Sequence, residues 1–300
     1  MRRQLRRQVL AVLSHDGPAP DYDAPKGDAG LFGPDSITWK IHADFPSMMA
    51  GGLASLMLQM LHPLAMAGVW DHSSFQHDIL GRLRRTTAFV GRTTYAPSAP
   101  AEAIIEHVRR VHLHVVGTAL DGRPYRADDP HLLTWVQCAE AWCFLKAYRA
   151  YCHADIPVPL QDRYLAEFAR VAEALGARDV PKTLADLTAF FDAERAQLVF
   201  DERCATVLRT LDSIDLPIPL AGLGRRMFLG AAASLLPDWA LDLMQRPPRE
   251  RMRDHVGAAS LKLMAPSIRD AMAEGGLAWR ACRRTDADYA GLFRWPKDAP

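Results

Sequence analysis

Residues 47–70 read SMMAGGLASLMLQMLHPLAMAGVW, twenty-four positions without an acid, a lysine or an arginine. By length such a run could cross a bilayer. Gly51, Gly52, Gln59, His62 and Pro63 interrupt it. A proline inside a helical pattern ends or kinks the helix before it, so the run reads as two helical pieces bent at His62-Pro63. Both are apolar nearly all round, the mark of a central helix rather than a surface one. Buried core is the favoured reading over a spanning segment. Its methionines suit packing and, at some positions, an adaptable apolar channel.

Working outward, helical spacing dominates. Residues 16–35, DGPAPDYDAPKGDAGLFGPD, form a loop. Asp35 or Ser36 caps a helix carrying Trp39 and Ile41. Helices are expected near 74–92, at 101–117 ending on Gly117, at 131–151, at 161–176 ending on Gly176, at 184–198 and at 201–211. LDGRPYRADDP (120–130) reads as a turn-rich loop and LPIPL (216–220) as a break. Residues 223–245 read as apolar helix up to Pro237, and 247–300 as a basic, loop-rich, partly helical tail. No long alternation at period two and no repeat occurs. The fold class is all-α.

The chain has 300 residues, 49% apolar and 24% charged, with a formal charge of +1. That composition is globular, and the balance argues against a nucleic-acid surface. Five cysteines without a CxxC pair read as buried thiols in a reducing compartment. The start, MRRQLRRQVLAVL, is basic, but its apolar run is only Val9 to Leu13, so no secretory signal is read and the expected location is cytoplasmic. A weaker second reading of this arginine-rich helix is peripheral contact with a membrane.

The chemistry is sought on two helices. At 100° per residue, Ile104, Ile105, Val108, Val111, Val115 and Val116 share one face, and His112 falls near its middle. His107 and His114 fall on the polar side with Arg110. A buried imidazole needs hydrogen-bond partners or a metal; a core histidine bonded to a carbonyl or hydroxyl is the commoner case. On the preceding helix, Thr86 lies on the inner face and Arg82 one turn before it at the edge, with Arg84 and Arg85 turned elsewhere. Arg82 and Thr86 suit a carboxylate or an oxygen ligand; a structural arginine paired with Asp78 is an even alternative. Asp128-Asp129 before Pro130 reads as a helix cap, and Trp135 and Trp142 as core more readily than cofactor stacking. HExxH, ExxH pairs, GxSxG, P-loops and GxGxxG are absent.

Four blocks carry a resemblance: DSITWKIHAD (35–44), LQMLHPLAMAGVWDHSSFQHDILGRLRRTTAFV (58–90), VRRVHLHVVGTALDGRPYRADDPHLLTWV (108–136) and RYLAEFARVAEALG (163–176). In order and spacing they resemble the oxygenase family typified by a fungal mycophenolic acid pathway enzyme and bacterial latex-clearing protein. The resemblance implies a helical haem b protein using O2 on a small hydrophobic substrate, by analogy through cleavage of an isoprenoid C=C bond. It implies His112 as the iron ligand. Arg82 and Thr86 would lie beside the haem, as groups acting on the oxygen or holding a propionate. A haem carrier or sensor without turnover, and a helical protein without cofactor, are the competing readings. The expected organisation is a basic N-terminal helix and loop (1–32), a haem-binding helical domain (33–245) and a basic C-terminal extension (246–300). Two positions depart from the pattern. The latex-clearing branch places an acid shortly before the arginine helix, whereas residues 45–70 hold none, and Gln137 stands where many relatives have histidine.

Overall fold

The computed structural model describes residues 6–7, 19–214 and 221–295; the expected N-terminal basic helix and the LPIPL break fall almost wholly outside them. Among the described residues the protein is all-α, with thirteen α-helices and one two-stranded hairpin.

The run that opened the sequence is α2 (Phe45–Gln59) and α3 (Pro63–His72), bent by 105° at the expected place. No single helix among the described residues is long and apolar enough to cross a membrane. Asp44 caps α2 by accepting the Ser47 N–H, and its fully buried carboxylate is paired with Arg269. Ser36 caps α1 (Ile37–His42) through the Trp39 N–H.

Helix α2 is the axis of the core. On one side it packs against α6 (Pro130–Tyr151), which Asp129 caps through the His131 and Leu132 N–H groups. The two helices touch at Gly51, where a Cβ would lie 2.9 Å from the Phe144 ring and 3.0 Å from the Cys143 carbonyl. On the other side lie α10 (Ala221–Ala233) and α12 (Pro248–Ala273). These two cross with Gly230 against Gly257. A Cβ on Gly257 would sit 3.0 Å from the Met227 carbonyl oxygen and 3.1 Å from the Ala231 nitrogen. Gly257→Val should therefore destabilise the protein by about 1–3 kcal/mol, read as a lower urea midpoint with an unchanged slope.

Helices α4 (Ile79–Tyr95) and α5 (Ser98–His112) flank this core, with α7 (Val158–Leu175), α8 (Leu184–Glu194) and α9 (Glu202–Ser213) closing it. Helix α11 (Asp238–Leu243) precedes α12, and α13 (Leu277–Arg284) packs with Tyr22, Trp39 and Tyr95 in a second cluster.

Several sequence expectations are corrected. The 101–117 helix stops at His112. Residues 116–118 instead form β1 (Val116–Thr118), paired antiparallel with β2 (Pro124–Arg126). Asp121-Gly122 makes the turn, with Gly122 at φ +84°, where glycine is favoured. Gly117 is not a helix end but a seat for Tyr125, whose hydroxyl would be 2.5 Å from a Cβ there. The 74–92 helix is a short 3-10 turn, Ser74–Gln76, followed by α4, because Asp78 caps the true start through the Gly81 N–H. The tail is not mainly loop. It contains α12, the longest described helix at 26 residues, which continues through Pro266 with Leu261, Ala265, Ile268 and Ala271 buried along one side.

Candidate active site

Helices α2 to α7, α9 (Glu202–Ser213) and the hairpin line a cavity of about 440 Å³. Its walls are mainly Leu, Val, Met and Phe side chains, among them Met60, Met66, Phe89, Val136 and Leu211. Few polar groups reach it, and these decide what it can bind.

His112 is the last residue of α5 and lines the cavity. Its Nδ1 is buried and has no hydrogen-bond partner. Burial lowers its pKa below the ordinary histidine value, with Asp128 opposing weakly. His107 and His114 are exposed. The wheel around His112 needs correction at its far end. Val111 and Val116 are 46% and 42% exposed, because the helix ends at His112 and Val116 passes into β1.

Sequence reasoning did not single out His72, which also lines the cavity. It is exposed, and its Nε2 is hydrogen-bonded to the Val116 carbonyl at 3.1 Å. Of the two lining imidazoles, only His112 holds a buried nitrogen without a partner.

Arg82 and Thr86 line the same cavity from α4. Burial lowers the Arg82 pKa, with Arg85 adding to the effect. The alternative pairing with Asp78 is not seen; Asp78 lies 3.5 Å from exposed Arg85. The Thr86 hydroxyl donates to the Arg82 carbonyl at 3.2 Å and so offers the cavity lone pairs. Gln137 is 5% exposed, and its Nε2 has no partner. Asp129 caps α6 while Asp128 pairs with Arg126. Neither Trp135 nor Trp142 lines the cavity; Trp135 is wholly buried and bonds the Gln59 carbonyl.

Glu140 is the acid that sequence reasoning missed. It projects from α6, is half-buried and lines the cavity. Burial raises its pKa from 4.5 to about 7, against a small lowering by a hydrogen bond from Gln59. No cation pairs with it among the described residues. One signal was available: Glu140 is the lone acid on a 22-residue helix whose middle is mostly apolar.

Two other histidines are buried outside the cavity lining. His42 bonds the Thr94 hydroxyl at 2.9 Å and the Tyr164 hydroxyl at 3.0 Å, and burial lowers its pKa to about 3. His62 is buried beside Trp135, with Glu194 3.9 Å away, and both its ring nitrogens also lack a hydrogen-bond partner; it lies away from the cavity lining, and burial lowers its pKa to about 4. No cluster of three or more His, Cys, Asp or Glu side chains able to hold a metal ion occurs among the described residues.

The fold and the cavity define a class: a helical protein built around a mainly apolar cavity to whose lining His112 contributes a buried Nδ1 without a partner. The chain belongs to the family described as ER-bound oxygenase mpaB/B'/rubber oxygenase, catalytic domain, whose model matches residues 39–284. The match takes in every cavity-lining residue named above and runs past residue 245 through α12 and α13. No curated protein and no solved structure matches the chain.

Proposed function

We propose that this member of an oxygenase family is a haem b-dependent enzyme that uses O2 on a small apolar substrate. The observation carrying this reading is the His112 imidazole, turned into a greasy chamber with a buried nitrogen that no protein group satisfies. Such an atom costs about 1–3 kcal/mol if left unpaired, and coordination removes that cost. The residues present fit the group. His112 would hold the iron, and Arg82 would pair with a propionate carboxylate. When bound, haem supplies the one-electron chemistry that lets O2 react with an organic molecule.

The chain's own side chains do the rest. The lowered pKa of His112 keeps its ring neutral, so it presents a lone pair rather than a proton. Arg82 places a desolvated cation at the edge of the chamber. The Gln137 amide is a free donor, and the Thr86 hydroxyl an acceptor, for oxygen-containing groups. The apolar walls exclude water and select an apolar substrate.

Titration of the purified protein with haemin tests this reading. One equivalent should bind with a sharpened, shifted Soret band, and the reduced, loaded protein should consume O2 with an apolar alkene and form carbonyl products. Absence of a Soret change at stoichiometric haemin would sink it.

A further inference from the structure

Behind the first cavity lies a second, of about 190 Å³. Helices α2, α4, α6 and α10 form it, and Met48, Met49, Leu53, Leu80, Phe228 and Leu229 make much of its wall. The two chambers share Leu56, Gln59, Leu83, Thr86, Glu140 and Leu211. They therefore adjoin across a wall whose one carboxyl is Glu140. Gln59 lies close enough to Glu140 to lower its pKa and donates to the Ser55 hydroxyl at 2.6 Å.

We infer that the second chamber binds an apolar chain bearing an uncharged oxygen group, a hydroxyl or a carbonyl, and that Glu140 hydrogen-bonds that group where the chambers meet. The inference rests on the oxygenase reading only for the chemical fate of the bound chain. Three observations carry it. The chamber walls are apolar, so they reward a chain. The carboxyl at the junction has the Gln59 amide beside it and spare hydrogen-bonding capacity, so a pure hydrocarbon would leave that capacity unmet. It also lacks a paired cation, so a ligand carboxylate would meet like charge wherever Glu140 is ionised, above about pH 7. A site built to hydrogen-bond an oxygen discriminates strongly against a ligand lacking it.

Other charged groups border the chambers. Arg82 and His112 line the first, and Arg84 and Arg225 the second. Arg225 donates to the Ile214 carbonyl, and its Nε has no partner. It is the group that would favour a carboxylate instead, and the test must separate the two.

The experiment is displacement of a fluorescent apolar probe, aminoanthracene, by octanol, octane and octanoate, in haem-free and haemin-loaded protein. Octanol should bind about tenfold more tightly than octane. Glu140→Leu should erase that gap, and Glu140→Gln, which keeps a hydrogen-bonding group, should retain most of it. Gly52 lines only the second chamber, and a Cβ there meets nothing closer than 3.8 Å. Gly52→Leu should therefore fill the chamber and weaken octanol at least tenfold while leaving haemin uptake unchanged. Equal binding of octanol and octane would overturn the inference. So would Gly52→Leu without effect, or octanoate binding best in a manner lost in Arg225→Gln but not in Glu140→Leu. Failure to take up haemin would overturn the function proposed above and leave the octanol comparison readable.

Discussion

His112→Ala should lose haemin binding by at least about a hundredfold, beyond the range seen when only the partners of a metal ligand are removed. The Soret band of the stoichiometric mixture should revert to that of free haemin. The variant should still fold, because the substitution removes a nitrogen that no protein group bonds and leaves the α2–α6 packing untouched. An unchanged far-UV circular dichroism spectrum would show this. His72→Ala is the control. Its ring lines the same cavity, but its Nε2 is engaged with the Val116 carbonyl, so haemin uptake should persist. His112→Gly, which leaves room for a free ring, should regain the band on addition of imidazole. A merely structural histidine would not be rescued that way, and full haemin occupancy in His112→Ala would end the proposed ligation.

Glu140→Gln should make the haem-free protein more resistant to urea at pH 8 than the wild type, relative to their difference at pH 5, by about 3 kcal/mol. The carboxyl pKa rises from 4.5 in the unfolded chain to about 7 in the fold. Folded protein therefore holds this proton more tightly than unfolded protein does. The associated stability is fully present below pH 4.5 and is lost as pH rises through about 7. Glutamine has the same size and does not titrate, so the advantage of the variant grows across that window and then levels off. Cys143 and Tyr164 lie close enough to feel the carboxylate charge, and Arg82, His112, Arg84 and Arg225 line the chambers around it. All are common to both proteins, as are His42 and His62, so their own titrations cancel to first order. Parallel stability curves from pH 5 to pH 8 would refute the perturbed carboxyl.

Part of this site was legible along the chain. Three residues singled out by helical spacing and by the resemblance, His112, Arg82 and Thr86, line one cavity. Spacing works for them because they belong to α4 and α5, whose apolar stripes face inward and whose polar residues face water. It fails for Glu140. That residue stands on α6, a helix buried on nearly all sides, where no polar face exists to sort its positions. It fails again at 113–118, where a valine-rich stretch fits either a helix or a strand until the Asp121-Gly122 turn is recognised. The tail was misjudged for a related reason. The buried positions of α12 fall at helical spacing, but exposed Met252, Val256, Leu263 and Met264 blur the stripe in the sequence, and the Gly230–Gly257 crossing that seats the helix joins residues 27 apart in the chain.

By itself the amino-acid order determined the all-helical class, the bend at His62-Pro63, helix starts at Asp35 or Ser36 and at the Asp128-Asp129 pair, and which histidine of three leaves the polar face. These depend on local geometry: rotation per residue, a missing amide hydrogen, a side chain reaching its own helix end. Only the tertiary structure decided that there are two chambers, that His112 lacks a partner where His42 has two, and that a carboxyl from α6 stands where the chambers meet. Those outcomes depend on helices brought together across the whole chain. Desolvation and unmet hydrogen bonds are properties of the space between elements, and that space exists only after they pack.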